Sequence, residues 1–376
     1  MKYFIIAGEA SGDLHASHLM RELKNGDSSA DFSFFGGDLM AYEGGTLLKH
    51  YREMAFMGLF PVLFNLCKIR RNFKLAEQKL LEFKPDVLIL VDYPGFNLRM
   101  AEFAKVNGIK VFYYISPKIW AWKTKRVYKV KKFVDEMFTI FPFESDFYSK
   151  YNYQVRFVGN PTIDELSHRP NQQETFAEFI LKNYLPDKPL IALLAGSRRH
   201  EIKRILPVLA IVSKRFPKYQ FVIAGAPSQS QHLYDEVLGK KSIPVVFGQT
   251  YELLQQSTAA LVASGTATLE TAFINVPQIV CYRVEAGRLG TWVKDQLVKI
   301  PYISLVNLIA GREIVKELFQ QYCTPETVSD ELNKILNDNI YRDAMLAGYA
   351  EVLAELGGSG CAERAANEMI ELLKAK

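Results

Sequence analysis

Cysteine is scarce in this 376-residue chain: Cys67, Cys281, Cys323 and Cys361 lie far apart, and none forms a C-x-x-C pair. That spacing argues against a disulfide framework or a thiolate zinc site and makes the cytoplasm the default compartment. Long apolar runs are also missing, and none approaches the roughly 18 residues that a spanning helix needs. Residues 2–7 run straight into a glycine turn, too short for a signal-peptide core, so no leader is expected. Charge of one sign is limited as well: 46 Lys+Arg against 41 Asp+Glu leave +5, too mild an excess to imply a nucleic-acid partner. His15 and His18 stand one helical turn apart, but no H-E-x-x-H signature accompanies them. A plain helix surface is the better reading, and neither a metal nor a cofactor is expected.

What is present is ordinary globular material, with 49% hydrophobic residues, Gly 23 and Pro 16. The length suits two domains. Short apolar runs at 3–7, 32–35, 87–91, 111–115, 137–140 and 155–158 alternate with amphipathic stretches such as 14–23 and 72–83. The second half repeats the theme, with strand-like runs at 190–194, 220–224, 245–247, 260–263 and 278–281, and helical patterns at 202–216 and 268–273. Uniformly apolar strands separated by helices predict parallel sheets covered on both faces. Pro161, Pro170, Pro186 and Pro189 punctuate a connection at about 160–188. The expectation is an α/β protein of two doubly wound, Rossmann-like domains, 1–165 and 186–344, facing a cleft. Residues 324–376 read as helices, and those from about 345 are candidates to pack back on the first domain.

Four segments follow strand-like runs, where such sheets collect ligands. In Gly8-Glu9-Ala10-Ser11-Gly12-Asp13, the glycines admit close backbone approach and a helix begins. The carboxylate in the turn favours a hydroxyl-rich ligand over a phosphate, while Ser11 or Asp13 could simply cap the helix. In Asp92-Tyr93-Pro94-Gly95-Phe96-Asn97, Asp92 ends an apolar strand and is placed to accept a proton from a sugar hydroxyl; the competing reading is a turn aspartate. In Gly196-Ser197-Arg198, glycine clears space, serine offers a hydroxyl and arginine can clamp phosphate oxygens, without the lysine and spacing of a Walker A loop. Ser264, Gly265 and Thr266 form a small-residue turn suited to an anion, and Glu270, a turn later, is placed for a ribose diol. The candidate catalytic residues are therefore Asp92 and Glu9. Ser11, Gly12, Asp13 and Asn97 are assigned to an acceptor. Gly196, Ser197, Arg198, Ser264, Gly265, Thr266 and Glu270 are assigned to a nucleotide-linked donor.

Two further stretches read as a surface. Met54, Phe56, Met57, Phe60 and Phe64 precede Lys68, Arg70 and Arg71, and residues 54–76 hold no acid. Residues 118–132 carry seven Lys/Arg, among them Lys123 and Arg126, with Trp120 and Trp122. Basic and aromatic side chains together suit an anionic lipid surface. They also suit single-stranded nucleic acid, a core helix at 54–67 or a solvated face at 118–132.

At these residues the chain resembles the lipid-A-disaccharide synthase family of inverting, GT-B-fold glycosyltransferases. The matching segments are G-E-A-S-G-D (8–13), M-G-L (57–59), P-D-V (85–87), D-Y-P-G-F-N (92–97) and S-P-K-I-W-A-W-K (116–123). They continue with K-R-V (125–127), P-F-E (142–144), G-S-R (196–198), A-S-G-T-A-T-L-E (263–270) and S-L-V-N-L-I-A-G-R-E-I-V-K-E-L (304–318). The chain departs from the family pattern at Gly95, where a second acid is usual, at Asn160, where histidine is usual, and at Ala195, where proline is usual. The resemblance implies a metal-independent transfer of 2,3-diacylglucosamine from its UDP derivative to the 6-hydroxyl of 2,3-diacylglucosamine 1-phosphate (lipid X). It implies work at the cytoplasmic face of the inner membrane as a peripheral protein, no nucleic acid, a homodimer as one candidate state, and a place for Asn307 near the donor. The rivals are a UDP-N-acetylglucosamine 2-epimerase, a cell-wall lipid glycosyltransferase and a non-catalytic nucleotide-binding regulator.

Overall fold

Five consecutive apolar residues, Val87–Val91, are all fully buried. Burying each such side chain stabilises by about 1.5–3 kcal/mol, so a strand of this kind is driven into the centre of a sheet. It is β4 of a seven-stranded parallel sheet that also holds β1 (Lys2–Ala7), β2 (Asp31–Gly36), β3 (Thr46–His50), β5 (Lys110–Tyr114), β6 (Glu136–Thr139) and β7 (Arg156–Phe157). The order is β3-β2-β1-β4-β5-β6-β7, so the winding reverses between β1 and β4. The register pairs Ile5 with Ile89 and Ala7 with Val91. That match brings the two carboxyl ends level.

The structure is a computed structural model describing residues 1–54, 66–121, 124–167, 169–239, 243–283 and 301–375. Its two compact units are Met1–Asp164 with Leu356–Lys376, and Glu165–Glu355. The second unit holds a six-stranded parallel sheet, ordered β10-β9-β8-β11-β12-β13. Its strands are β8 (Leu190–Leu194), β9 (Gln220–Gly225), β10 (Val245–Phe247), β11 (Ser257–Ala263), β12 (Gln278–Tyr282) and β13 (Lys316–Phe319). Here the reversal lies between β8 and β11, with Leu193 opposite Leu261.

Sequence periodicity missed β3 and β13. In β3 no residue is buried, and in β13 only Leu318 is, so neither carries an apolar run. The unit boundary falls inside the helix Pro161–Ser167, and the polar segment after it belongs to the second unit, where Asn171 donates to Glu252 at 2.7 Å. At the far end the helix Asn339–Glu355 stays with the second unit. The return to the first unit begins at Leu356 rather than about 345 and is made by the helix Cys361–Lys374. Both oxygens of Asp164 accept that helix's first amides, Gly360 at 2.5 Å and Cys361 at 2.9 Å, and Arg364 donates to the Val158 carbonyl at 2.9 Å. A carboxylate on otherwise orphaned amides is a strong helix cap.

Candidate active site

In the first unit, β1 runs into Gly8 and Glu9 and β4 into Asp92 and Tyr93, side by side at the point of reversal. Asp92 and Tyr93 both adopt left-handed backbone, with φ of 42° and 46°. Two successive non-glycine residues in that region cost of order 1–3 kcal/mol each, so their surroundings must enforce it. They do. The Asp92 carbonyl accepts Tyr113 Oη at 2.5 Å and Asn97 Nδ2 at 2.8 Å, and the Asp92 amide donates to the Tyr114 carbonyl at 3.2 Å. The Tyr93 hydroxyl donates to the Met54 carbonyl at 2.9 Å, and its ring fills the space where a Gly8 Cβ would stand. The motifs at 8–13 and 92–97 are thus one packed unit. Burial pushes the Asp92 carboxyl above its ordinary range, while the Lys118 cation and the Tyr93 amide pull the other way. The result is a half-buried carboxylate of raised basicity at the end of a strand.

Several expected roles change here. Asp13 is 3% exposed, and its carboxylate accepts the amides of Gly37 at 2.7 Å and of Leu39 and Met40 at 3.2 Å. It caps the helix Asp38–Glu43 from a distance and is not free for an acceptor. Asn97 is fully buried, and its Nδ2 also donates to the Val91 carbonyl at 3.1 Å, which clamps the strand end, while its Oδ1 has no hydrogen-bond partner among the described residues. Gly12 is buried against Ala7, where a helix lies close on its strand, while Ser11 is exposed in the first turn of the helix Ala10–Gly26. Asn160 is likewise internal, donating to the Ile140 carbonyl at 3.2 Å.

Of the expected lipid-facing residues, Lys68, Arg70 and Arg71 are exposed on the helix Leu66–Phe83, and Arg126 is half-buried. Met54 is 2% exposed and sits in the core, so it belongs to the core reading. Trp120 is half-buried, edge-on to Phe143, and donates Nε1–H to Glu144 at 3.2 Å. Phe56, Met57, Phe60, Phe64, Trp122 and Lys123 lie outside the described residues. Glu144 itself was missed. It is fully buried, accepts the amides of Ile140 and Phe141, and burial pushes it up to about 7 against those bonds. An acid a few residues after the strand-like run 137–140 was the available signal.

In the second unit, β8 ends at Leu194 and leads through Ala195 to Gly196, with φ of 106°, and Arg198 is the N-cap of the helix Arg199–Ser213. The Arg198 side chain is 65% exposed. The amides of Ser197 and Arg198 both donate to Glu201 Oε2 at 3.2 Å. The Ser197 carbonyl accepts Ser228 Oγ and Gln229 Nε2. After β11, Gly265 and Thr266 are exposed, and nothing lies within 4 Å of where a Gly265 Cβ would be. Ser264 Oγ donates to the Ile303 carbonyl at 2.7 Å, which ties this turn to the segment before Asn307. Burial raises Glu270, opposed by a bond from Thr266. Asn307 is fully buried, and the four hydrogen bonds of its side chain are internal. Nδ2 donates to Val315 O and to Glu317, and Oδ1 accepts the amides of Ile314 and Val315. Asn307 therefore shapes the segment, with its side-chain hydrogen bonds spent inside it. Glu317, unnoticed in the sequence, gathers Ile303, Ser304 and Asn307 in the same way.

Among the described residues, no group of three or more His, Cys, Asp or Glu could hold a metal, and no helix is long and apolar enough to cross a membrane.

Two parallel, doubly wound units, each with polar turns at its point of reversal, define an α/β protein of the GT-B fold. Solved structures similar over the whole length show the same architecture. The UDP-GlcNAc 2-epimerase of Neisseria meningitidis, bound to UDP-GlcNAc, is 14% identical with a TM-score of 0.66, covering 100% of both chains. The glycotransferase of kitacinnamycin is 12% identical with a TM-score of 0.63, covering 99% of this chain and 98% of that one. Sequence likeness then narrows the class: a family profile described as Lipid-A-disaccharide synthetase matches residues 3–365. Relatives named lipid-A-disaccharide synthase are 39% identical in Myxococcus xanthus (99% of this chain, 97% of the relative) and 37% in Geobacter metallireducens (100% and 98%). A third, from Coxiella burnetii, is 34% identical, with 98% of both covered. The chain belongs to the lipid-A-disaccharide synthase family and is a glycosyltransferase.

Proposed function

We propose that this enzyme joins UDP-2,3-diacylglucosamine to 2,3-diacylglucosamine 1-phosphate (lipid X), giving the β-1,6-linked disaccharide 1-phosphate and UDP. The observation that carries this reading is the full-length likeness, at 34–39% identity, to relatives of that name. The acceptor's 6-hydroxyl oxygen attacks the anomeric carbon of the donor sugar with inversion. Asp92 takes the hydroxyl proton, and the bond from that carbon to the β-phosphate oxygen breaks with its electron pair leaving on UDP. The raised basicity of Asp92 supports this role, and Glu9 in the neighbouring turn is the competing base. Arg198 and the amides of residues 196–198 and 264–266 meet the charge developing on the diphosphate, and Glu270 meets the ribose.

Both substrates carry acyl chains, so the enzyme works at a membrane surface as a peripheral protein on the cytoplasmic face. The exposed Lys68, Arg70 and Arg71 support that placement. No metal or cofactor is assigned a part.

The test is product mass spectrometry with both diacyl substrates and purified enzyme. A disaccharide 1-phosphate with equimolar UDP is expected. A new UDP-sugar epimer without joining would favour the epimerase reading, and binding of UDP with no product would favour a regulator.

A further inference from the structure

The space that Gly196 clears beside the proposed phosphate turn is occupied by the protein itself. Glu201 Oε2 accepts both the Ser197 and the Arg198 amides, and a Cβ on Gly196 would come within 2.6 Å of that oxygen. The other oxygen, Oε1, lies 3.6 Å from Arg198 Nη1. One carboxylate thus engages both amides and approaches the guanidinium that the proposed function gives to the donor diphosphate.

We propose that Glu201 is a displaceable internal anion. It occupies the diphosphate's place in the empty enzyme, leaves when the nucleotide binds, and returns to help expel UDP. The inference rests on the assignment of residues 196–198 to the diphosphate. Three observations carry it. The two bonds, at 3.2 Å each, are longer than the roughly 2.7–2.9 Å of a strong charge-assisted bond, so one oxygen straddles two donors and satisfies neither fully. The side chain is 14% exposed, so one edge of it already reaches solvent. Two anions cannot share the same two amides and cation. A ligand that must first displace an internal competitor binds with an affinity reduced by the fraction of sites left open. While in place, Glu201 also caps the helix Arg199–Ser213 and keeps both amides aimed.

The experiment measures UDP and inorganic pyrophosphate binding by calorimetry to wild type, Glu201→Gln and Arg198→Ala, with thermal melting of each. Glu201→Gln keeps an acceptor oxygen for the cap but removes the charge. It is expected to bind both probes about 3–10-fold more tightly and to release UDP correspondingly more slowly. A folded Glu201→Gln with unchanged or weaker binding overturns the proposal, since a mere capping role predicts that result. If Arg198→Ala binds UDP as well as wild type, the phosphate assignment fails and this inference with it. If only the glutamine variant behaves like wild type, the phosphate assignment stands and Glu201 is a plain cap. Should Glu201→Gln not fold, a wild-type crystal structure with UDP decides: Glu201 is expected off the two amides, and its retention there overturns the proposal.

Discussion

The two units place glycines after their central strands for opposite purposes. In the first, Gly8 makes room for the Tyr93 ring, which locks a strained turn carrying a basic carboxylate. In the second, Gly196 makes room for a carboxylate on two backbone amides, at the start of a helix whose first residues are cationic. The same architecture therefore carries a carboxylate after a central strand of one sheet and converging backbone amides after a central strand of the other. What differs is the side chain filling the glycine's empty side, an aromatic ring in one case, a carboxylate bonded to backbone amides in the other.

The largest expected effect tests the first half of that contrast. Asp92→Asn should lower turnover by about 10²–10⁴-fold in a product assay while UDP affinity holds. Glu9→Gln belongs in the same assay, because normal turnover for Asp92→Asn with loss for Glu9→Gln would move the base to Glu9. Wild-type activity should fall with acid at a pH above the usual carboxylate range, since Asp92 must be ionised and burial raises it. The stability sign is opposite. A carboxyl raised in the folded state contributes most below its unfolded pKa and loses that contribution as pH rises through the folded one. Asp92→Asn should therefore melt no lower than wild type at neutral pH.

Next comes the second half of the contrast. Arg198→Ala should weaken UDP binding by roughly 1.5–3 kcal/mol, about 10–150-fold, as the loss of a charged hydrogen bond requires. Gly8→Ala should cost about 1–3 kcal/mol in urea unfolding, because the new methyl overlaps the Tyr93 ring. The same change in a Tyr93→Ala background should cost clearly less; equal costs would show that the ring is not what excludes a side chain. Smaller still, replacing any one of Lys68, Arg70 or Arg71 with Gln should reduce binding to anionic vesicles by about 1 kcal/mol, with binding to neutral vesicles unchanged. At the bottom of the scale, EDTA should leave activity as it is, because Arg198 and backbone amides are assigned the leaving charge; rescue by Mg²⁺ after a loss would show otherwise.

The central strands of both sheets were legible because each is apolar on both faces, but their order, and so the point where the winding reverses, is seen only in the structure. Of the edges, β7 and β10 fall on the apolar runs at 155–158 and 245–247, whereas β3 and β13 carry no such run and were not legible, since edge strands need none. Site residues divided similarly. Asp92, Arg198 and the small-residue turns announce themselves by position after a strand. Asp13 and Asn97 carry the same local signal, yet the Asp13 carboxylate is spent on amides such as that of Gly37, and Asn97 Nδ2 on the carbonyls of Val91 and Asp92. Sequence spacing shows where a polar group starts, and tertiary structure decides whether backbone or ligand reaches it first. Glu201 and Glu317 illustrate the converse, since an ordinary glutamate early in a helix or within an edge strand gives no sign that several amides converge on it.

The helix Cys361–Lys374 belongs to the unit whose first strand is Lys2–Ala7, although the whole second unit lies between them in the chain. Synthesis order and folding order therefore diverge. The second unit has all its described strands and helices once residue 355 has been made, whereas the first, begun earliest, must wait for the Gly360 and Cys361 amides that Asp164 caps and for the helix that covers one face of Ala10–Gly26. On a ribosome the late-coded unit has its parts first. The turn bearing Asp92 then sits for most of translation in a half-finished domain, which is where chaperones and proteases have their longest opportunity.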